Sequence, residues 1–227
     1  MCTVSYIPTE KGFYLTSNRD EDPLRKTTLP QHVYMEDKLK LLAPIDTEKG
    51  GSWIATDNKS KVACILNGAF EKHQRKLPYR KSRGHFVFEA FESPSFLNFM
   101  QNVELQNIEP FTLILIDKHL QVLVWDGTKK YMHFLSKEIP HLWSSATLYN
   151  EEAHQKKLEV FQTFLATGNI TSETILKLHG IHANNSFVLN MPQVKTVSTT
   201  QVEALNNSIG LTYYKKAKID EKQEILR

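Results

Sequence analysis

The feature that most constrains this chain is its opening stretch, residues 1–22, where a cysteine follows the first methionine and at once begins a run with strand character. Thr3, Ser5 and Ile7 alternate with Val4 and Tyr6, Lys11 and Gly12 supply turn chemistry, and residues 13–17 are able to return antiparallel to the first run. A hairpin of this kind brings Asn18, Arg19 and Asp20 back beside Cys2. A thiol, an α-amine on the same residue, a guanidinium and a carboxylate then gather at one end of a sheet, which makes that end a candidate catalytic centre.

The chemistry expected there is that of an N-terminal nucleophile. Once Met1 is removed, which the small side chain of Cys2 permits, the α-amine titrates near neutrality and serves as base for its own thiol. Arg19 favours the thiolate, and Asp20 is placed to hold the ammonium or the arginine. A second reading of the same residues stays open: cysteine is a common buried small residue, and Asn-Arg-Asp-Glu-Asp also reads as a polar loop after a strand.

Met1-Cys2-Thr3 followed by Asn18-Arg19-Asp20-Glu21 resembles the NRDE family, which includes the transport and Golgi organisation protein 2 group. Gly50-Gly51-Ser52-Trp53-Ile54-Ala55 resembles the family's strand entry, Val62-Ala63-Cys64-Ile65-Leu66-Asn67 its next strand, and Ser82-Arg83-Gly84 its Ser-Arg-Gly segment. The resemblance is clear over residues 1–91 and faint afterwards. It implies an α+β fold of the N-terminal-nucleophile hydrolase kind, a four-layer αββα sandwich of two antiparallel sheets. It also implies kinship with cysteine amidohydrolases that cleave a C–N amide bond. In those acylases an arginine stands three residues before the aspartate, where this chain has Ser17. Thr147 and Val197 stand where relatives carry Asn and Arg. On this reading the candidate catalytic residues are Cys2, Arg19, Asp20 and Asn67, and the candidate ligand-binding residues are Asn18, Glu21, Trp53 and Arg83. A competing expectation from the same resemblance is a non-enzymatic binding or trafficking protein for haem or a lipid-derived metabolite. Either way the partner is a small molecule, haem or an amide-containing metabolite.

At 227 residues and 26.2 kDa, with 41% hydrophobic residues, the chain is long enough for one substantial core, and a single domain over residues 1–227 is expected. A formal charge of +3, with Lys and Arg spread along the chain, implies no nucleic-acid partner. Cys2 and Cys64 make no disulfide framework and fit a reducing compartment. Without a leader pattern or a long apolar segment, neither secretion nor membrane spanning is indicated, and the expected location is cytoplasmic.

Along the rest of the chain, residues 23–30 read as a proline-bounded loop and 33–42 as short extended structure. Residues 52–56 and 61–67 read as a hairpin around 57–60, and Gly50 and Gly51 allow close backbone approach before Trp53. That hairpin carries Asn67-Gly68, whose side-chain amide or backbone N–H is a candidate oxyanion donor, although Asn-Gly is also a common turn. The basic segment 72–83 reads as a solvated loop, with a lid over the site as the functional alternative. Residues 84–91 read as a helix, and Ser93 and Pro94 as the cap and first residue of another that turns Phe96, Leu97, Phe99 and Met100 inward. Residues 111–116, 120–125 and 130–135 form a meander, and 141–149 one more strand. Residues 151–166, capped by Asn150, and 171–178 read as helices, and 187–189, 195–202 and 211–218 as β-rich segments before a fraying tail, 220–227. His179-Gly-Ile-His182 has no adjacent carboxylate or Cys, so no metal and no cofactor is assigned.

Overall fold

The opening hairpin is present, and its second strand is longer than expected. In the computed structural model, which describes residues 3–35, 39–57, 59, 61–183, 185–216 and 225–226, β1 (Thr3–Thr9) pairs with β2 (Gly12–Glu21). The register runs from Thr3↔Asn18 to Thr9↔Gly12. Asn18, Arg19, Asp20 and Glu21 are therefore strand residues rather than a loop. Their side chains must alternate between the two faces of the sheet, and this alternation governs the site.

Two antiparallel sheets build the molecule. The first has the order β10-β1-β2-β11-β12-β13, with β10 at His141–Ser144, β11 at Lys195–Leu205, β12 at Ser208–Lys215 and β13 at Ile225–Leu226. The second runs in sequence order through β3 (Gln31–Tyr34), β4 (Lys40–Ala43), β5 (Ile54–Thr56), β6 (Val62–Asn67), β7 (Phe111–Ile116), β8 (Leu120–Trp125) and β9 (Lys130–Leu135). Both central strands of the meander, β7 and β8, are almost wholly buried, as their near-continuous apolar runs require.

The main core lies between the sheets. Val4, Tyr6, Phe13 and Leu15 of the first sheet share one apolar cluster with Trp53 and with Cys64, Ile114 and Val122 of the second. Helices α1 (His85–Glu92) and α2 (Phe96–Asn102) cover the far face of the second sheet through Phe86, Val87, Ala90, Phe96 and Met100. A smaller cluster joins Ile7 and Tyr14 to Phe161 of α3 (Glu151–Ala166), to Ile175 and Leu178 of α4 (Ser172–Leu178), and to Phe187. Each sheet thus carries one helical layer outside and meets the other inside, giving the expected αββα order.

Several local expectations are corrected. Ser93 is the extended residue ending α1, and it is Ser95 that caps α2 by accepting the N–H of Asn98; Leu97 then points outward, 38% exposed. The strand expected over 141–149 stops at Ser144 and pairs with β1, and Ser145 leaves the ladder to donate to the carbonyl of Asn67 at 2.7 Å. Residues 33–42 hold parts of two paired strands, β3 and β4, rather than one extended piece. Residues 187–189 form no strand and end in a single bridge, Asn190↔Lys195. Of the tail at 220–227, only Ile225 and Leu226 lie within the described residues, and they pair with Leu226↔Tyr213 and Ile225↔Tyr214. Parts of the expected turn at 57–60, Asn58 and Ser60, also lie outside the described residues.

The cap of α3 is as expected: Asn150 Oδ1 accepts the N–H of Ala153 at 2.9 Å. Asn150→Ala is expected to cost about 1 kcal/mol in a chemical denaturation experiment. An unchanged midpoint would show that Glu151 and Glu152 alone hold the first turn.

Candidate functional site

Alternation along β2 divides the Asn-Arg-Asp-Glu tetrapeptide. Phe13, Leu15, Ser17 and Arg19 share the face turned to the second sheet, while Tyr14, Thr16, Asn18 and Asp20 face the layer of α3 and α4. Arg19 and Asp20 therefore act in different environments. The expected contact in which Asp20 holds Arg19 is not the one formed. Met1 and Cys2, the expected nucleophile, lie outside the described residues, and the next residue, Thr3, pairs with Asn18.

On the inner face, Arg19 is 1% exposed. Its Nη2 donates to Asp46 Oδ2 at 2.9 Å, with Glu21 Oε2 at 4.0 Å, and its Cζ stacks 4.7 Å from the centre of the Trp53 ring. Asp46 also takes Arg25 Nε at 2.7 Å on Oδ2, and its Oδ1 accepts the backbone N–H groups of Glu48 and Lys49. Across the ladder, Arg19 stands opposite Ser198 and Ser17 opposite Thr200. A bulge at Val197 separates Thr196 from Ser198 in this ladder. Ser17, Ser198 and Thr200 are buried, and so is Cys64, whose thiol burial pushes up to about 12 while the neighbouring Ser17 works against that rise. Burial likewise raises Tyr213, whose ring lies 6.4 Å from Trp53. The result is a polar seam inside an otherwise apolar inter-sheet core. Ser17 and Arg19 lie on the same face, which sets the guanidinium about 7 Å further along the strand from the Ser17 hydroxyl.

On the outer face, Asp20 accepts the hydroxyls of Tyr149, at 2.6 Å, and Thr196, at 2.5 Å. Asn18 donates to the carbonyls of His179 and Phe187 and accepts the Thr199 hydroxyl at 2.9 Å. His179 Nδ1 lies 3.1 Å from Asn18 Oδ1, so that nitrogen carries the proton and Nε2 accepts the Ser5 hydroxyl at 2.7 Å. Burial, reinforced by the charges of Lys157 and Lys216, lowers His179 to about 3. Lys157, also buried, donates to Thr3 Oγ1 at 2.5 Å and sits 3.1 Å from the centre of the Tyr149 ring. Lys216 is brought down to about 8 by burial against the pull of Asp20.

Asn67 ends β6 beside this region. Gly68 adopts φ +85°, and a Cβ there would meet Thr147 Cγ2 at 3.0 Å, so the segment at 145–147 docks directly on the Asn67-Gly68 turn. The backbone N–H of Gly68 donates to Pro110 O at 2.9 Å, which removes it as an oxyanion donor and leaves the Asn67 side-chain amide. The approach of Gly51 to Gly84 is as close as expected: a Cβ on Gly51 would fall 2.6 Å from the Gly84 carbonyl carbon. Arg83 is engaged with Glu109 Oε2 at 3.2 Å and Pro110 O at 3.0 Å. Glu109 Oε1 also takes Arg75 Nε at 3.0 Å and His73 Nε2 at 3.3 Å, so the basic segment is fastened to one carboxylate instead of forming a freely solvated loop.

Two cavities flank the seam. A small one of about 60 Å³ is walled by Arg19, Trp53, Ser52, Asn67 and Arg83 among others. A groove of about 1170 Å³ lies on the other side of Asn67, between β8, β9 and the segment 142–154; Leu66, Val124, Leu135, Trp143, His133 and His154 line it. Sequence reasoning missed Lys157, Tyr149, Thr196 and Asp46, and weighed His179 as a metal ligand alone. Only Asp46 carried a local signal, an acidic residue four positions before the Gly50-Gly51 pair. Among the described residues, no group of three or more His, Cys, Asp or Glu side chains forms a metal site, and no helix is long and apolar enough to cross a membrane.

Among solved structures, an N-acylethanolamine-hydrolyzing acid amidase ortholog from Caenorhabditis elegans superposes with a TM-score of 0.60 at 11% identity, covering 92% of this chain and 99% of that one. A cysteine-to-alanine variant of conjugated bile acid hydrolase from Clostridium perfringens gives 0.60 at 10% identity, covering 100% and 92%. Penicillin V acylase from Agrobacterium tumefaciens gives 0.59 at 9% identity, covering 99% and 84%. At such identities the likeness is one of fold, the N-terminal-nucleophile hydrolase fold. No curated protein sequence matches the chain. The family model described as Transport and Golgi organisation 2 matches residues 1–219, and the chain belongs to that family.

Proposed function

We propose that the protein is a cysteine N-terminal-nucleophile amidohydrolase acting on a C–N amide bond, with Cys2 as nucleophile after removal of Met1. The observation that carries this reading is the interior position of β1 in its sheet. Thr3 pairs with Asn18 on one side and Ser144 on the other, and Cys2 is the residue that precedes Thr3 in the chain. The candidate nucleophile is therefore tethered to the end of β1, one residue from the Asn18 rung.

In this mechanism the α-amine takes the thiol proton as Sγ attacks the amide carbonyl carbon. The Asn67 side-chain amide donates to the oxyanion that forms. The C–N bond then breaks, the amine returns the proton to the leaving nitrogen, and water cleaves the thioester to release the acid and regenerate the thiol. Asp20, held by Tyr149 and Thr196, is a positioning residue in the rung after Asn18 and Arg19, and Arg19 belongs to ligand binding on the inner face. The test is the intact mass of untagged protein, followed by an amide-hydrolysis screen with Cys2→Ala as control. The expected result is a mass lower by one methionine residue and turnover that Cys2→Ala abolishes. Met1 retained on all molecules would remove the base and overturn the reading.

The groove favours a second reading, a carrier for haem or a lipid-derived metabolite. Its volume of about 1170 Å³ lies at the large end of small-molecule sites. His154 offers Nε2, since Nδ1 is 3.0 Å from Ser144 Oγ, and burial lowers its pKa and keeps the imidazole neutral. Haem ligation there would shift the Soret band, and His133→Ala or His154→Ala should abolish the shift. A shift that persists in every His and Cys variant would rule out specific ligation.

A further inference from the structure

We propose that Asp20 shapes the large groove by fastening its two lips to one carboxylate, and that the groove held in this way takes the uncharged, apolar part of the ligand. Asp20 is buried, and the two residues its carboxylate reaches, Tyr149 and Leu189, both line the groove. One oxygen, Oδ2, accepts the Tyr149 hydroxyl at 2.6 Å. The other, Oδ1, accepts the Thr196 hydroxyl at 2.5 Å, and Thr196 Oγ1 in turn accepts the backbone N–H of Leu189 at 2.8 Å. A carboxylate suits this task because both of its oxygens accept, whereas an amide in its place would offer only one. Hydroxyl bonds to a charged oxygen are short and strong, and they offset the cost of keeping the carboxylate out of water.

Each lip is a short loop from a different part of the chain. The first follows β10, where the N–H groups of Leu148 and Tyr149 return to the carbonyl of Ser145 before the Asn150 cap of α3. The second is the turn before β11, closed by the N–H of Thr196 on the carbonyl of Leu189 and by the N–H of Met191 on the carbonyl of Val194. Loops open more readily than the strands behind them, so the tie between the two decides how well the groove is held ready for a ligand. The Tyr149 ring is fixed from a second side by the Lys157 ammonium, 3.1 Å from its centre. Between the lips the lining is apolar, with Leu66, Val124, Leu135, Trp143 and Leu189 in it. Glu71 and Glu151 stand in that lining against Lys72, which leaves no excess of positive charge to hold an anion. Asp20 is in this account a positioning residue that acts on the ligand through Tyr149 and Leu189. The inference rests on the reading of this region as a small-molecule site, whether the ligand is cleaved or carried.

The test measures binding of N-phenyl-1-naphthylamine, an uncharged apolar fluorescent probe, to the full chain at pH 7. In ¹⁵N-labelled protein the indole resonance of Trp143, identified by its loss in Trp143→Phe, reports occupancy of the groove wall. Trp125, whose Nε1 donates to Ile108 O at 2.9 Å, stands outside the lining and serves as control. The wild type is expected to bind the probe saturably and to shift the Trp143 resonance alone. Tyr149→Phe keeps the ring and removes the hydroxyl, and Thr196→Val removes a hydroxyl that does not itself line the groove. Each is expected to weaken binding about tenfold, the effect of one hydrogen bond to a charged group. Both cut the same clamp, so the double variant is expected to bind as the weaker single variant does. Thr196→Ser keeps the hydroxyl and is expected to bind like the wild type. A role confined to stability would lower the melting temperature and leave the affinity of the folded protein unchanged. Absence of a Trp143 shift in the wild type, unchanged affinity in either single variant, or losses that multiply in the double variant overturns the proposal. Should Thr196→Val not fold, hydrogen exchange of the Leu189 amide in Tyr149→Phe decides: exchange about tenfold faster is expected, and an unchanged rate overturns the proposal. Failure here leaves Met1 removal and Cys2-dependent turnover untouched, and failure of turnover leaves probe binding untouched.

Discussion

Asp46→Ala is expected to destabilise the protein by about 3–5 kcal/mol, the range for breaking a buried ion pair by removing one partner. The carboxylate bonds Arg19, whose guanidinium is buried between the sheets, and it also holds Arg25 and the N–H groups of Glu48 and Lys49. Alanine leaves Arg19 with Glu21 at 4.0 Å as its remaining charge partner, too long for a hydrogen bond. Asp46→Asn keeps an oxygen for the two backbone groups and loses only the charge, so roughly half the loss is expected. Urea denaturation of the two variants, with unchanged slope, makes the comparison. A loss below 1 kcal/mol for the alanine variant would mean that Arg19 finds another partner when Asp46 is absent.

The second large effect is on pH dependence. His179 is fully buried, and its pKa falls from 6.5 to about 3 because burial penalises the charged ring. In the unfolded chain the same ring binds a proton near pH 6.5, so between 6.5 and 3 the unfolded state holds more protons than the folded one. Stability from this group is complete above pH 6.5 and is lost progressively as pH falls toward 3. Between pH 7 and 4.5 the loss amounts to about 2.5 kcal/mol. His179→Gln removes the titration while keeping an amide able to face Ser5 and Asn18. The variant is expected to be less stable at pH 7 and to close most of that gap by pH 4.5. Parallel stability curves for the two proteins across this range would show that His179 does not carry the acid sensitivity.

The elements that the sequence made legible are those set by local pattern. Alternation in residues 3–7, the runs at 111–125 and the Asn150 cap all reappear in the structure because neighbours in sequence determine them. What stayed hidden depends on partners far along the chain. Residues 18–21 read equally well as a polar loop, since a strand that buries Arg19 and Asp20 is tolerable only with Asp46, Tyr149 and Thr196 in place. Lys157 falls beside the apolar stripe of α3, and its burial rests on Thr3 and Tyr149. His179 drew notice for a metal-like spacing, whereas its role is to bind Ser5 and Asn18. Extending the alternation past Ser17 would have sorted the tetrapeptide onto its two faces. It would not have identified the groups that wait there.

The sheet order has a consequence for how the molecule comes to exist. β1 and β2 leave the ribosome well before their outer partners, for each is an interior strand whose second neighbour, β10 or β11, is synthesised much later. Until then the nascent hairpin has open edges, and Tyr149 and Thr196 are not yet there to donate to Asp20. Pairings such as Thr3↔Ser144 and Arg19↔Ser198 are highly non-local, and such topologies fold slowly. Insertion of β11 closes the sheet and completes the surroundings of the tetrapeptide in one event. A nascent chain halted before that strand would therefore carry the whole opening motif with the β2 edge still open and Thr196 missing from Asp20, and holdase chaperones would meet that edge.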